Sequence, residues 1–300
     1  MKPSLSSLYQ AVEIGQEIPP LLIGESSNPN GSKKFRECLL ADDFDGCLRI
    51  GLDQEARGAQ VLDIGGESSR PAGTTYGQGF EPVPVAEEIA RVVPVIEGLA
   101  RELGARVSID TVKPEVAVAA LSAGATIVND VRCAEDAGLA EAAAAAGAQY
   151  VIMHNRGRGE VRPPNTAYMD LVSDVIGELL AAAERVESAG VPRGAVWLDP
   201  GLGFAKTARQ SAELLKSLGR FRKTGYRVLV GPSRKSFIAE LAPDPSGDRP
   251  PADARLGGTA AAVAMCAAAG VDAVRVHDVA MMRQVAAVAE APWSPGGGAS

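Results

Sequence analysis

The stretch VWLDPG, residues 196–201, is a short apolar run that ends in one reactive side chain, Asp199. The pattern recurs roughly eight times, and the other runs are LLIG (21–24), VLDIGGES (61–68), VSIDT (107–111), TIVND (126–130), YVIMHN (150–155), VLVGPSRK (228–235) and AVRVHD (273–278). The polar side chains just past the apolar residues are Asn28, Asp63, Asp110, Asn129, His154, Asp199, Lys235, Arg275 and His277. Buried parallel strands have this pattern, and a parallel barrel carries its functional groups at the carboxyl ends of its strands.

Amphipathic or Ala-rich segments separate these runs and predict helices at about 41–57, 84–102, 114–123, 136–146, 169–189, 209–223, 255–269 and 279–290. Strands are predicted near 21–24, 60–64, 106–109, 126–129, 149–153, 195–198, 227–230 and 273–276. A glycine, which ends a helix in the left-handed conformation at little cost, marks seven helix-to-strand joints: Gly58, Gly104, Gly124, Gly147, Gly190, Gly225 and Gly270. Eight strand–helix units predict a single α/β domain, a closed (β/α)8 barrel. An open doubly wound sheet is the alternative, which is less favoured because the first Gly-rich turn lacks the GxGxxG fingerprint.

We expect this barrel to span residues 1–292 and residues 293–300 to form a disordered tail. Three connections after predicted strands are long, at 25–40, 65–83 and 154–168. Long loops on the functional face of a barrel are usually lids or ligand clamps, and the Gly, Ser and Pro content of the first two predicts that they are mobile. Residues 241–254 are predicted to form a surface loop.

The composition argues against several classes of partner. A net charge of −7 and an aromatic content of 4% disfavour a nucleic-acid-binding surface. No stretch approaches the roughly 20 apolar residues that cross a bilayer. Four scattered cysteines without a CxxC pair favour reduced thiols in a cytoplasmic protein. We therefore expect no nucleic-acid partner and no membrane association.

Two segments provide groups for binding an anion. Arg275 and His277 alternate along one strand end and so face the same side, where a guanidinium beside an imidazole suits a phosphate or diphosphate. Ser68, Ser69 and Arg70 lie in the Gly-rich loop GGESSRPAG (65–73), whose hydroxyls and amide N–H groups can wrap an anion. The structural alternatives are an arginine that pairs with a neighbouring carboxylate, a histidine that caps a helix and a solvated turn.

A second set of groups suits a flat heterocycle. Asp110, Asn129 and Asp199 offer acceptors and donors for the edge of an aminopyrimidinone ring, although each could instead cap the helix that follows it. Asp63, at a strand end, could pair with a neighbouring cation or orient the pocket. Two histidines and the absence of an HExxH motif disfavour a metal site built from protein ligands alone.

Two further motifs lie at predicted strand ends. GPSRK (231–235) places Ser233 and Lys235 beyond the seventh strand, where the lysine could donate to a ring atom or to phosphate, or be a solvated surface residue. DPGLGFAKT (199–207) places Phe204, one of few aromatic residues, where it could stack on a ring or pack in the core.

Taken together, these motifs resemble the dihydropteroate synthases, folate-pathway enzymes that join a dihydropterin diphosphate to 4-aminobenzoate. The matching motifs, in chain order, are DIGGESSRP, SIDT, VNDV, MHNRG, LDPGLGFAKT, GPSRKSF, GGTAA and RVHDV. The match runs from Leu21 to about Glu290. The resemblance implies a pterin-binding TIM barrel that acts on small-molecule substrates and forms a homodimer.

The resemblance also implies roles for individual residues. The pterin would contact Asp110, Asn129, Met153, Asp199, Phe204, Gly231 and Lys235. The diphosphate, with Mg²⁺ held through Asn28, would contact Asn28, Ser69, Arg70, Arg275 and His277. The aminobenzoate would lie against Ser69, Arg70, Pro71, Phe204 and Ser233. The residues that carry catalysis would be Arg70, Lys235, Arg275 and His277.

The first loop, IGESSNPNGSKKF (23–35), departs from this family. It keeps Asn28, lacks the DSFSDGG stretch of the synthases, and resembles the methyltetrahydrofolate-binding domain of cobalamin-dependent methyltransferases. Gln210 and Ser211 also stand where the synthases usually have His-Asn. Two alternatives follow: a methyltransferase domain, which GPSRK and RVHD argue against, and a specialised or non-catalytic synthase paralogue.

Overall fold

A computed structural model of the chain describes residues 20–29, 31–67, 83–102 and 106–291. Its strands are β1 (Leu21–Gly24), β2 (Val61–Gly65), β3 (Arg106–Asp110), β4 (Ile127–Asp130), β5 (Gln149–Met153), β6 (Val196–Asp199), β7 (Arg227–Val230) and β8 (Ala273–Val276). Every strand is parallel to its neighbours, and β1 pairs with β8 to close the sheet. The predicted (β/α)8 barrel is confirmed, and each strand lies within a residue of its predicted position.

The helices are α1 (Lys33–Leu40), α2 (Phe44–Ala56), α3 (Val85–Glu102), α4 (Pro114–Ser122), α5 (Ala137–Ala146), α6 (Leu171–Ser188), α7 (Ala208–Lys216), α8 (Leu218–Arg222), α9 (Ser236–Leu241), α10 (Leu256–Ala268) and α11 (Val279–Glu290). The helix predicted at 209–223 is divided into α7 and α8 at Ser217. Six of the seven glycine joints have the left-handed backbone that was predicted, and Gly104 lies outside the described residues.

The first loop differs from its prediction, because much of the expected open connection at 25–40 is helix α1. The Ser32 hydroxyl caps this helix by accepting a hydrogen bond from the Phe35 N–H at 3.1 Å. Phe35 and Leu39, one turn apart, are buried against the core. A cap followed by apolar residues at i and i+4 therefore forms a helix despite the neighbouring glycine and proline.

The barrel interior is filled below the functional face. Seven inward-facing apolar residues fill this part of the interior: Ile23, Val61, Ile127, Val151, Trp197, Leu229 and Ala273. Outward-facing strand residues such as Leu62 and Val128 belong instead to the larger core between strands and helices. Because the lower barrel is filled with apolar side chains, polar groups on the upper strand ends face only the mouth.

Several sequence predictions fall outside the described residues. They concern the barrel's first 19 residues, most of the second loop (68–82) and the tail at 293–300. All four cysteines are described, and each is a free thiol. Among the described helices, none has both the length and the apolar content that a membrane crossing requires.

Candidate active site

The polar strand-end residues are buried at the carboxyl end of the barrel. Asp110 on β3 is paired in register with Gly65 on β2 and with Asn129 on β4. Met153 on β5 is paired in the same way with Asp199 on β6. Register between parallel strands thus sets these side chains at adjacent positions around one rim.

Arg275 and Asp63 form a buried ion pair at the centre of the mouth. The Arg275 guanidinium donates to Asp63 Oδ2 at 2.7 Å, and Asn129 Nδ2 donates to the same oxygen at 3.1 Å. Burial opposes the charge of Arg275, but the carboxylates of Glu25, Asp63 and Asp110 outweigh it and raise the arginine's pKa. The sequence-based expectation that Asp63 pairs with a cation is confirmed.

Asp110 has one oxygen engaged and one without a partner. Asn28 Nδ2 donates to Asp110 Oδ2 at 2.7 Å, whereas Oδ1 is buried and receives no hydrogen bond from the described residues. Burial, together with the nearby charge of Asp63, raises the pKa of Asp110 to about 8, against the opposing effects of Arg275 and Asn28. A buried oxygen in this state matches a ligand that presents an N–H group.

Asp199 and Lys235 face each other across the turn that follows β6. Asp199 Oδ1 accepts the Gly201 N–H at 2.7 Å. Burial raises the pKa of Asp199, and the Lys235 ammonium opposes that rise. Lys235 Nζ donates to the Leu202 carbonyl at 2.6 Å and lies 4.9 Å from the centre of the Phe204 ring.

Gly231 brings the two cationic groups of the mouth together. A Cβ atom at Gly231 would lie 3.6 Å from Arg275 Nε and 3.8 Å from Lys235 Nζ. Arg275 Nε is itself buried and has no hydrogen-bond partner among the described residues. The space beside Gly231 is therefore bordered by two positive charges, of which Arg275 is paired with Asp63 and Lys235 interacts with the charge of Asp199.

His277 is held by Ser233 and faces Glu25. Its Nδ1 lies 2.9 Å from Ser233 Oγ and 3.5 Å from Glu25 Oε2, and its backbone N–H donates to Ser233 Oγ at 3.2 Å. Ser233, which is expected beside an aminobenzoate, thus also contacts the imidazole of His277. Glu25 was not singled out from the sequence, although it follows β1 directly as the other strand-end residues follow theirs.

Eleven of the residues expected at the site are connected through these contacts and strand pairings: Asn28, Asp110, Asn129, Met153, Asp199, Phe204, Gly231, Ser233, Lys235, Arg275 and His277. Ser69, Arg70 and Pro71 lie outside the described residues. His154 does not reach the mouth, because it is fully buried between Lys206 and Glu178.

The chain is similar in sequence to known proteins over most of its length. Residues 24–277 match the family model described as pterin binding enzyme. The chain is 40% identical to the dihydropteroate synthase of Synechocystis, over 79% of this chain and 78% of that protein. It is 38% identical to the dihydropteroate synthase of Bacillus subtilis, over 85% of this chain and 83% of that protein. The chain belongs to the dihydropteroate synthases.

Solved structures agree with this assignment. A dihydropteroate synthase from Clostridium difficile, determined in the presence of pteroic acid, superposes with a TM-score of 0.78 at 33% identity, covering 92% of this chain and 98% of that one. A Xanthomonas albilineans dihydropteroate synthase with 4-aminobenzoic acid gives a TM-score of 0.77 at 34% identity, covering 91% and 92%. Because synthase similarity extends over most of the chain, the methyltransferase-like first loop does not define its family.

Proposed function

We propose that this chain condenses 6-hydroxymethyl-7,8-dihydropterin diphosphate with 4-aminobenzoate, releasing 7,8-dihydropteroate and diphosphate in folate biosynthesis. The observation that carries the proposal is the convergence of Asp110, Asn129 and Asp199 with Lys235 and Arg275 around one barrel mouth. The carboxyl and amide groups can form hydrogen bonds with the pterin ring of this substrate, and the cationic groups can bind its diphosphate.

The pterin ring presents N–H groups and an exocyclic amine to these acceptors. Asp110 Oδ1, buried without a partner among the described residues, supplies one acceptor, and the second buried acid, Asp199, supplies another. Lys235 donates to the opposite edge of the ring, and Phe204 and Met153 border its faces. An unpaired buried oxygen is costly, so satisfying Asp110 contributes to ring affinity.

The diphosphate lies against Arg275, His277 and Asn28. Among the described residues no group of three or more His, Cys, Asp or Glu side chains forms a metal site. Mg²⁺ nevertheless fits this site. It binds hard oxygen ligands, of which the protein usually provides only one or two, while water and the substrate phosphates provide the others. The amide oxygen of Asn28 is the donor we assign to it, and the bound ion would neutralise charge that develops on the leaving diphosphate.

The reaction breaks the bond between the pterin methylene carbon and a diphosphate oxygen, and the electron pair leaves with the diphosphate. Arg275 and His277 stabilise the charge that develops on that oxygen. Ring N–H groups that donate to Asp110 favour its carboxylate form, against the burial that raises its pKa in the free protein. In that form Asp110, together with Asp199, favours the cation that is delocalised into the ring. The aniline nitrogen attacks the methylene carbon with its lone pair, and the resulting anilinium loses its proton to water. An aniline is already unprotonated at neutral pH, so no strong base is needed.

The acceptor lies beside Phe204, with Ser233 and the second-loop residues Ser69, Arg70 and Pro71 around it. We assign Arg70, which lies outside the described residues, to binding of the diphosphate. The likeness of the chain to a synthase solved with 4-aminobenzoic acid supports this choice of acceptor.

The chain is further proposed to act as a cytoplasmic homodimer. The free thiols support a reducing compartment. Helices α10 and α11 carry the partly exposed apolar side chains Met265, Met281 and Val288, which support a dimer face there. Sedimentation at several concentrations tests the dimer, and a chain that remains monomeric throughout would contradict it.

Turnover tests the proposed function directly. The protein is incubated with dihydropterin diphosphate, Mg²⁺ and 4-aminobenzoate, and diphosphate and dihydropteroate are quantified with each component omitted in turn. We expect equal amounts of both products, formed only when both substrates are present. Binding of pterin diphosphate without turnover would instead support a non-catalytic paralogue, and retention of methyltetrahydrofolate in preference to pterin diphosphate would overturn the substrate assignment.

A further inference from the structure

We infer that Lys206 is a positioning residue, which holds the turn between β6 and α7 (residues 200–207) in the form that places Lys235 at the mouth. Lys206 does not border the mouth and has no role in the reaction steps described above. The inference rests on the proposed function, because the role it assigns is to place a residue of that reaction.

Lys206 is buried behind the turn and is fully engaged there. Its side chain is 2% exposed. Nζ lies 2.9 Å from the Phe204 carbonyl oxygen, 2.8 Å from His154 Nδ1 and 3.5 Å from the His154 carbonyl oxygen. The three N–H groups of the ammonium therefore meet three acceptors, one on the turn and two at the end of β5.

His154 connects Lys206 to the outside of the barrel. Its ring is fully buried, and Nε2 lies 3.1 Å from Glu178 Oε2 on α6. Burial, reinforced by the Lys206 charge, lowers the pKa of His154 to about 4, so the ring is neutral. We assign Nε2 as the N–H that donates to Glu178 and Nδ1 as the acceptor for Lys206. Arg156 holds Glu178 in turn, with Nε 3.0 Å from Oε2.

The front of the same turn contacts Lys235. The Leu202 carbonyl accepts from Lys235 Nζ at 2.6 Å, and the Phe204 ring lies 4.9 Å from it. The turn also approaches β5 closely, because a Cβ at Gly201 would lie 2.0 Å from the His154 carbonyl oxygen. Displacing residues 202–204 would therefore move two groups that contact Lys235.

Packing alone does not account for a lysine at this position. Burial lowers the pKa of Lys206 to about 7 against the favourable charge of Asp199, so the site opposes the charged form. The other charged or titratable groups acting on it are Lys235, Cys133 and Glu178. A methionine would fill similar space without this cost but has no N–H group, whereas lysine provides donors to His154 and Phe204 together.

A double-mutant cycle tests the inference. Lys206→Met, Lys235→Ala and the double variant are compared with the parent by kcat/KM in the condensation reaction. We expect Lys206→Met to lower kcat/KM by about 10- to 100-fold, as a small misplacement of a reacting group does. In the Lys235→Ala background the same change is expected to lower kcat/KM by only about threefold or less, because the lysine it places is gone and only the effect on Phe204 remains.

Lys216→Met removes an exposed lysine from α7 and is the matched control, which we expect to remain within about twofold of the parent. Equal losses in both backgrounds would overturn the inference, since a general structural defect does not depend on Lys235. A kcat/KM of Lys206→Met equal to that of the parent would also overturn the inference. If Lys206→Met fails to fold, His154→Phe removes the Nδ1 acceptor and is subject to the same cycle and the same criteria. If the parent protein neither binds pterin diphosphate nor catalyses the condensation, the proposed function itself is wrong. If the parent is active and Lys206→Met causes the same loss in both backgrounds, only the role of Lys206 is wrong.

Discussion

At the scale of single residues, the buried polar side-chain atoms of the mouth form a network in which nearly every described atom has a hydrogen-bond partner. Asp63 accepts from both Arg275 and Asn129, and one oxygen of Asp110 accepts from Asn28. Asp110 Oδ1 and Arg275 Nε are the exceptions at the mouth among the described residues. One is an acceptor and the other a donor, so a ligand with an N–H edge and an anionic end would complete both.

Arg275→Ala is expected to lose both activity and stability. Removing the guanidinium takes away charge stabilisation of the leaving diphosphate and should lower kcat by about 10²- to 10³-fold. It also leaves Asp63 buried without its ion-pair partner, which should cost about 3–5 kcal/mol in the free energy of unfolding. Steady-state kinetics and urea denaturation measure the two losses.

The control for this variant is Arg57→Ala, directly after α2, since the side chains of Arg57 and Asp53 are both more than half exposed. That exposed pair should contribute at most about 1 kcal/mol. If Arg275→Ala were as stable as the control, the buried ion pair would not have the role assigned to it.

Asp110→Asn is expected to change how stability depends on pH. The folded pKa is raised from 3.8 to about 8, so between these values the folded chain keeps a proton that the unfolded chain has lost. The parent's free energy of unfolding therefore receives a contribution that falls as pH rises across this window and levels off above it. Asp110→Asn lacks this contribution. The difference in the free energy of unfolding between variant and parent should therefore shift in favour of the variant between pH 4 and pH 8, by on the order of several kcal/mol. Urea denaturation across this range measures it, and a difference independent of pH would contradict the burial argument.

At the scale of elements, the turn between β6 and α7 depends on a glycine for two separate reasons. Gly201 has φ +65°, and a Cβ there would lie 2.0 Å from the His154 carbonyl oxygen. Gly147, at the end of α5, has the same φ of +65°, but a Cβ there would meet nothing within 4 Å. Comparing alanine substitutions at Gly147 and Gly201 therefore separates the energetic cost of the left-handed backbone from the cost of the contact with the His154 carbonyl oxygen.

Gly147→Ala should lower the free energy of unfolding by about 1–2 kcal/mol, the cost of the left-handed backbone alone. Gly201→Ala should lower it by about 1–3 kcal/mol more, because the turn must also move away from β5. Only Gly201→Ala should reduce turnover, since Gly201 holds Asp199 and the turn places Lys235. Thermal denaturation and kinetics of both variants check this, and equal losses at the two sites would refute the close-approach argument.

Elements with a strong periodic signal could be predicted from the sequence, and short capped segments could not. Each strand is a compact apolar run with a polar end, so the pattern located all eight. Helix α1 was missed because its Gly, Ser and Pro neighbours resemble a loop, while its stability comes from the contacts of Phe35 and Leu39 with the core. The break between α7 and α8 at Ser217 likewise leaves little trace in the pattern of apolar residues.

At the scale of the whole molecule, barrel closure joins residues that are remote in sequence. Asp63 and Arg275 are 212 positions apart and form a direct ion pair, because β1 and β8 close the sheet. Topology alone predicted that strand-end groups would converge on one mouth. It did not predict which groups would pair, since His154 turns away to Lys206 and Ser233 contacts His277, and these choices depend on side-chain packing.

The position of a bound substrate tests the central claim most directly. A crystal structure with dihydropterin diphosphate and Mg²⁺ should place the ring edge on Asp110 and Asp199, and the two phosphates on Arg275 and His277. A ring bound away from both carboxylates, or phosphates that leave Arg275 untouched, would contradict the account of this mouth as the site of condensation.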